Sequence, residues 1–300
     1  MWLWATFASS LLLGVYEVYK KLSLKENAVV PVLFLTTVFC SLFFLPLLLL
    51  SEWAPQSLEN TLFFVPRADA KTHLFILLKS FIVLSSWAAA YYAIKNLPLT
   101  IVSPIKSTQP VFVLMGAFMV FGERLNLWQW LGVLVSIISI FLYSYVGKKE
   151  GISFRRNPWI WCLFLSVLIG SVSGLYDKYM MVNFDRMTVQ VWYTIYQIFI
   201  MLPLLLIYMH RRKRGKEQAF DFRWSIVGLA VFLCLADFLY FYALSRPGAL
   251  ISVISPIRRS GVLIPFVVGA LFFKDKNIKA KAWILLGVFI GMCCLYLGSK

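Results

Sequence analysis

Ten times in 300 residues the sequence holds an apolar run of about 20 residues, the length a helix needs to cross the hydrocarbon of a bilayer. The runs fall near residues 2–19, 30–50, 74–94, 98–121 and 126–146, then near 158–178, 187–209, 224–244, 248–273 and 281–298. Apolar residues are continuous within each run rather than alternating, which predicts helices and argues against a barrel. Hydrophobic residues make up 61% of the chain, charged residues 14%, and the mean hydropathy is +0.80. A water-soluble fold of this size could not bury so much apolar surface, whereas lipid solvates it and forces the backbone to close its own hydrogen bonds. The expected fold is an all-α membrane protein of ten transmembrane helices.

The net charge of +16, from 29 Lys and Arg against 13 Asp and Glu, does not imply a nucleic-acid partner. The basic residues sit mostly in short connections, where they orient helices, and no soluble domain remains to present a binding face. The densest cluster, Arg211 to Arg214 with Lys216, reads as a cytoplasmic anchor. Cys40, Cys162, Cys234, Cys293 and Cys294 all lie inside apolar runs without metal-ligand spacing and read as small core residues, so no metal or cofactor is expected. No catalytic constellation or phosphate-cradling glycine loop appears, and His73 and His210 both sit at helix ends, so an enzyme is not expected. The first run lacks a basic leader and a cleavage site and reads as a retained helix.

The two halves resemble each other at matched places. Trp2-x-Trp4 answers Trp159-x-Trp161, Tyr16-Glu17-x-Tyr19 answers Tyr176-Asp177-x-Tyr179, and Leu45-Pro46-Leu47 answers Leu202-Pro203-Leu204. Ser103-Pro104-Ile105-Lys106-Ser107 answers Ser255-Pro256-Ile257-Arg258-Arg259. Four such matches in one order argue for duplication. The expected units are residues 1–147 and 158–300, joined by a linker over 148–157. A duplicated unit with an odd number of spans enters the membrane the opposite way the second time, so the halves are expected to be inverted repeats with a substrate site near the midplane. The connections after helices 1, 3, 5, 7 and 9 carry most of the basic residues, which places them in the cytoplasm and both termini outside.

The stretch Leu97-Pro98-Leu99-Thr100 through Gly122-Glu123-Arg124-Leu125-Asn126-Leu127-Trp128-Gln129-Trp130-Leu131-Gly132 resembles the fourth and fifth helices of EamA-type transporters of the drug/metabolite transporter superfamily. Phe273-Lys274-Asp275-Lys276 with Leu286-Gly287 is a weaker second copy. The resemblance implies a ten-helix secondary transporter of metabolites with a central cavity and does not fix the substrate; the expected location is a bacterial-type inner membrane. A departure matters more: Lys106 and the pair Arg258-Arg259 stand deep in helices 4 and 9, an arrangement that resembles the organic-phosphate translocators of plastids, whose cations at those places hold phosphate.

Lys106 lies roughly 12 Å from the nearer end of its helix at about 1.5 Å per residue, and the arginines lie at similar depth. An unpaired cation at that depth costs at least about 2.5 to 3.5 kcal/mol, so the three are expected to face a wet cavity. Together they can wrap a phosphate or carboxylate. Asp237, mid-span in helix 8, reads as a counter-ion that pairs with them, the alternative being a proton carrier, which burial would favour and the neighbouring cations oppose. The alternative is neutralisation within the protein by Asp237, Glu17 and Asp177, with no substrate role. The candidate substrate-binding set is Lys106, Arg258, Arg259, Ser103, Ser255, Gln109, Asp237, Tyr240, Tyr91 and Trp87. Glu17 with Lys20 and Asp177 with Lys178 are candidate gates at opposite membrane faces; the bland alternative is interfacial capping beside aromatic-belt tyrosines. Pro104, Pro110, Pro256 and Pro265 are expected to interrupt helices 4 and 9 where they line a cavity. Lys79, about five residues into helix 3, reads as a snorkelling anchor.

The function these features point to is a secondary transporter of a small phosphorylated or carboxylated anion working by alternating access, as an exchanger, in a monomer or homodimer. An exporter of amino acids or drug-like amphiphiles and a lipid-headgroup flippase are the rival readings.

Overall fold

The computed structural model describes residues 2–121, 126–149, 155–215, 217–249, 251–272 and 277–298, and among them all regular structure is helical. The turn at Gly122 to Leu125 and its weaker copy at Phe273 to Lys276 lie outside the described residues. Twelve α-helices follow in order: α1 Trp2–Leu24, α2 Val29–Trp53, α3 Ala70–Asn96, α4 Leu99–Ser107, α5 Gln109–Phe121, α6 Leu127–Lys149, α7 Pro158–Asn183, α8 Arg186–Lys213, α9 Trp224–Leu244, α10 Ile251–Ser260, α11 Leu263–Leu271 and α12 Ile278–Gly298.

Seven helical segments among the described residues are long and apolar enough to cross a membrane: α2, α3, α7, α8, α9, Val253–Leu271 and α12. Their outward faces are apolar: Leu74, Phe199, Leu271 and Trp283 are each more than 60% exposed, an arrangement that suits lipid and not water.

The fourth and ninth apolar runs are each broken in two. Pro110 has no N–H to give the carbonyl of Lys106, so Thr108 closes α4 by donating to Ile105 and Lys106 carbonyls, and α5 restarts at Gln109. Pro265 withholds the same bond from Gly261, whose carbonyl accepts from Ile264 at 3.1 Å across the α10–α11 break. Pro104 and Pro256 remain inside α4 and α10. Pro46 and Pro203 likewise sit inside α2 and α8 without ending them.

Packing respects an exchange of the two halves. α1 lies along α9 as α7 lies along α3; α2 packs on α8 and α6 on α12; α4 meets α11 as α10 meets α5. Glycine lets the backbone of α1 touch the α10–α11 break. A Cβ on Gly14 would stand 2.4 Å from the Gly261 carbonyl oxygen, and one on Gly261 would stand 2.0 Å from that of Ser10. Small residues that permit such approach are the usual means of joining helices in lipid. This contact fixes Glu17, one turn beyond Gly14, beside the broken helix.

Helix α3 starts four residues before the point expected from hydropathy. The Asp69 side chain accepts from the Thr72 backbone N–H at 2.9 Å and caps the helix at Ala70. Lys79 therefore lies nine residues inside α3, and its ammonium cannot reach the surface. The expectation that it snorkels is corrected by its burial: its side chain is 2% exposed and paired with Asp177. The cysteines are free and only Cys40 and Cys234 are buried; Cys293 is exposed and does not serve as a core residue.

Candidate functional site

Between the two sets of helices lies a cavity of about 980 Å³, part of it open to the exterior. Its wall draws on α1 (Glu17, Lys20), α3 (Lys79, Trp87), α4 and α5 (Lys106, Gln109), α7 (Asp177), α9 (Asp237, Tyr240) and α10 (Ser255, Arg258, Arg259). Most of the candidate residues read from the sequence are thus brought to one place. Three are elsewhere. Tyr91 is fully buried behind the wall, with the Lys20 ammonium 5.0 Å above its ring. Ser103 is buried and lines an adjoining pocket of about 340 Å³ that shares Glu17, Lys106, Arg258 and Arg259 with the main cavity. Lys178 turns away from Asp177 and donates to the Ala249 carbonyl at 2.8 Å.

The charges form three paired groups. On α1, a single oxygen of Glu17, Oε1, accepts from Lys20 Nζ at 3.0 Å and also from Lys106 Nζ of α4. Lys20 and Glu17 are one helical turn apart, three residues along the same face, so their pairing is local, whereas Lys106 arrives from the broken helix. Across the cavity Asp177 of α7 pairs with Lys79 of α3. Lys79 Nζ also lies 4.9 Å from the Tyr193 ring and 4.8 Å from that of Phe241. Asp237 of α9 accepts from Arg258 through Oδ1 and from the Tyr193 hydroxyl at 2.9 Å through Oδ2. Arg258 also stacks its guanidinium 3.7 Å from the Tyr240 ring centroid. Each arrangement lowers the cost of holding charge away from water by giving the ion an opposite charge and a polarisable ring.

Arg259 differs. Among the described residues it has neither an ion pair nor a hydrogen bond, and it lines both pockets. The Nε of Arg258 is buried and unpartnered. Glu17 and Asp177 stand in one shared chamber with their partners, rather than at opposite ends of the protein. Neutral polar groups complete the wall: Ser86, whose hydroxyl donates to the Ser166 carbonyl at 2.9 Å, and Gln109, whose amide lies against Gly170. The lining thus sets cationic side chains beside neutral hydrogen-bonding groups; among the described residues no group of His, Cys, Asp and Glu could hold a metal ion.

Lys79 and Tyr193 are among the wall residues that escaped the sequence reading. Lys79 was hidden by the misplaced start of α3, which the Asp69 to Thr72 cap spacing could have revealed. Tyr193 carried no distinguishing signal, since its role depends on Asp237 being opposite it in space.

Comparison with known proteins adds a family and a fold. Residues 1–145 match the EamA-like transporter family. No curated protein matches the chain. A crystal structure, described only as that of a protein, is similar with a TM-score of 0.64 at 11% sequence identity, covering 99% of this chain and 96% of that one. That likeness speaks for the fold alone, while the family is one of transporters and not of enzymes. The chain is therefore an integral, multi-pass membrane protein whose first 145 residues match the EamA-like transporter family.

Proposed function

We propose that the protein is a secondary transporter that carries a small anionic metabolite across the membrane by alternating access, with ten spans arranged as two inverted five-span repeats. The exchange symmetry of helix packing supports the repeats: the main contacts of the first half with the second have counterparts when the halves are swapped, the contact of α4 with α12 excepted. Counting α4–α5 and α10–α11 as one broken span each gives five spans per half. The basic-rich end that holds Arg211 to Arg214 then faces the cytoplasm and both termini lie outside.

The single observation that carries the anionic reading is the convergence of Lys106 and the Arg258–Arg259 pair, from two broken helices at matched places, on one cavity where Arg259 has no counter-ion among the described residues. A buried cation without a partner is costly, and a site of this kind is repaid by an anion from outside. Arginine offers a planar fork and lysine a mobile point charge, which together suit phosphate or carboxylate oxygens, as in the organic-phosphate translocators that this centre resembles. Because the empty site keeps its cationic excess inside the bilayer, it resists reorientation until an anion neutralises it, and exchange of one anion for another follows. A zwitterion or a cationic drug would leave that excess unanswered, which sets the amino-acid and drug readings behind this one, whereas an anionic lipid headgroup would answer it and stays the closer rival.

The test is uptake of labelled glycerol 3-phosphate, succinate and similar metabolites into reconstituted vesicles loaded with the same compounds. At least one is expected to enter, with uptake abolished in Lys106→Ala and Arg259→Ala while both variants remain folded. Full uptake by both variants contradicts the assignment.

A further inference from the structure

The charges of the cavity do not cancel, and where the excess lies says what would fill it. Among the described lining residues three carboxylates, Glu17, Asp177 and Asp237, face five cations. Lys79 takes Asp177 and Arg258 takes Asp237. That leaves Lys20, Lys106 and Arg259 with Glu17 as their one carboxylate, so at ordinary ionisation two positive charges stand uncompensated in the corner formed by α1, α4 and α10. The same Glu17, Lys106 and Arg259 also wall the smaller pocket, so this corner borders both.

The geometry at Glu17 is unusual in one respect. Both lysines bind the same oxygen, Oε1, although Lys20 is a neighbour on its own helix and Lys106 comes from another. A carboxylate has two oxygens, and Lys20 alone can hold Glu17 when Lys106 leaves. Lys106 is 12% exposed at its side chain against 2% for Lys20, so it is the one that an incoming ligand meets.

We propose that the cavity takes a dianion seated between Lys106 and Arg259, and that Glu17 is a tethered counter-ion which the ligand displaces from Lys106 onto Lys20. The proposal rests on the anion-transport reading above and adds to it a ligand charge and an order of events. In the empty protein Glu17 occupies the lysine that the ligand needs. A dianion entering the corner neutralises both surplus charges, a monoanion leaves one, and in a poorly polarisable interior each remaining charge is costly. Phosphate monoesters and dicarboxylates share this chemistry. The displaced carboxylate carries the news of occupancy to α1, because Glu17 sits one turn from the Gly14–Gly261 backbone contact.

Isothermal titration of the purified full-length protein in detergent tests this with two matched pairs of probes that differ by one charge: glycerol 3-phosphate with its methyl diester, and succinate with succinamate. In at least one pair the dianion is expected to bind about tenfold more tightly than its monoanionic analogue, and the pair that does so tells phosphate from carboxylate. Glu17→Gln is expected to tighten dianion binding about fivefold, since the free site no longer has to expel its own carboxylate. Asp177→Asn, which adds the same charge without freeing Lys106, is expected to give a smaller gain, and Arg259→Gln to erase the preference for the dianion. Equal affinity within both pairs overturns the dianion assignment and leaves anion transport standing. Weaker dianion binding by Glu17→Gln, or an equal gain from Asp177→Asn, overturns the role of Glu17. Failure of all four anions to bind removes the transport reading together with this one.

Discussion

Lys79 on α3 and Asp177 on α7, 98 residues apart in sequence, form an ion pair between the two helices, with side chains 2% and 8% exposed. Removing one partner leaves the other charge buried and unanswered, at a cost of about 3 to 5 kcal/mol. Lys79→Met should therefore lower the unfolding free energy in detergent by about that amount, and the double variant Lys79→Met/Asp177→Leu should recover most of it. Denaturant titration of the three proteins checks this. A double variant no more stable than the single one contradicts a purely pairwise effect.

Arg259 and Arg258, adjacent in sequence, should respond in opposite ways to truncation. Arg259→Ala orphans no carboxylate, so its melting temperature should match the parent while anion-dependent stabilisation is lost. Arg258→Ala leaves Asp237 with only the Tyr193 hydroxyl and should cost about 2 to 4 kcal/mol. Thermal unfolding with and without glycerol 3-phosphate or succinate separates the two cases.

The crossing of α1 over the α10–α11 break leaves no room for a side chain. Gly261→Val places a carbon where the Ser10 carbonyl stands, and Gly14→Val does the same against the Gly261 carbonyl. Neither neighbour is a flexible side chain that could swing aside, so each variant should lose about 3 kcal/mol or more and yield less folded protein by size-exclusion chromatography. Gly215→Ala, with nothing within 4 Å of the added carbon but a φ of +69°, should cost only about 1 kcal/mol.

The Ser10 and Ser260 hydroxyls are 3.1 Å apart across the same crossing. Cysteines at both positions should form a disulfide on mild oxidation, seen as altered gel mobility, and the crosslink should stop exchange if α1 and α10 must separate for access to alternate. Unchanged exchange by the crosslinked protein places the moving contact elsewhere.

The apolar runs gave the helices because a bilayer permits little else, and the matched Ser-Pro-Ile motifs located the cationic centre because charge at such depth demands an explanation. Helix ends were less legible. The start of α3 was fixed by the Asp69 cap, a local hydrogen bond that hydropathy does not sense, and the four-residue difference turned Lys79 from a surface anchor into a member of the cavity wall. Pairing was least legible. Nothing in the sequence says that Asp237 meets Arg258 while Asp177 meets Lys79, since those choices depend on which helices pack together. Lys178, adjacent to Asp177, was an obvious partner by proximity, yet successive residues on a helix point about 100° apart, and it bonds the Ala249 carbonyl instead.

The central claim, that an anion occupies the corner between Lys106 and Arg259, is tested most directly by a crystal structure of the protein soaked in molybdate, a dianion with a strong anomalous signal. An anomalous peak is expected within the cavity between the Lys106 ammonium and the Arg259 guanidinium, with Glu17 moved onto Lys20, and it is expected to vanish in Arg259→Gln. An empty cavity with peaks confined to the outer surface would contradict it.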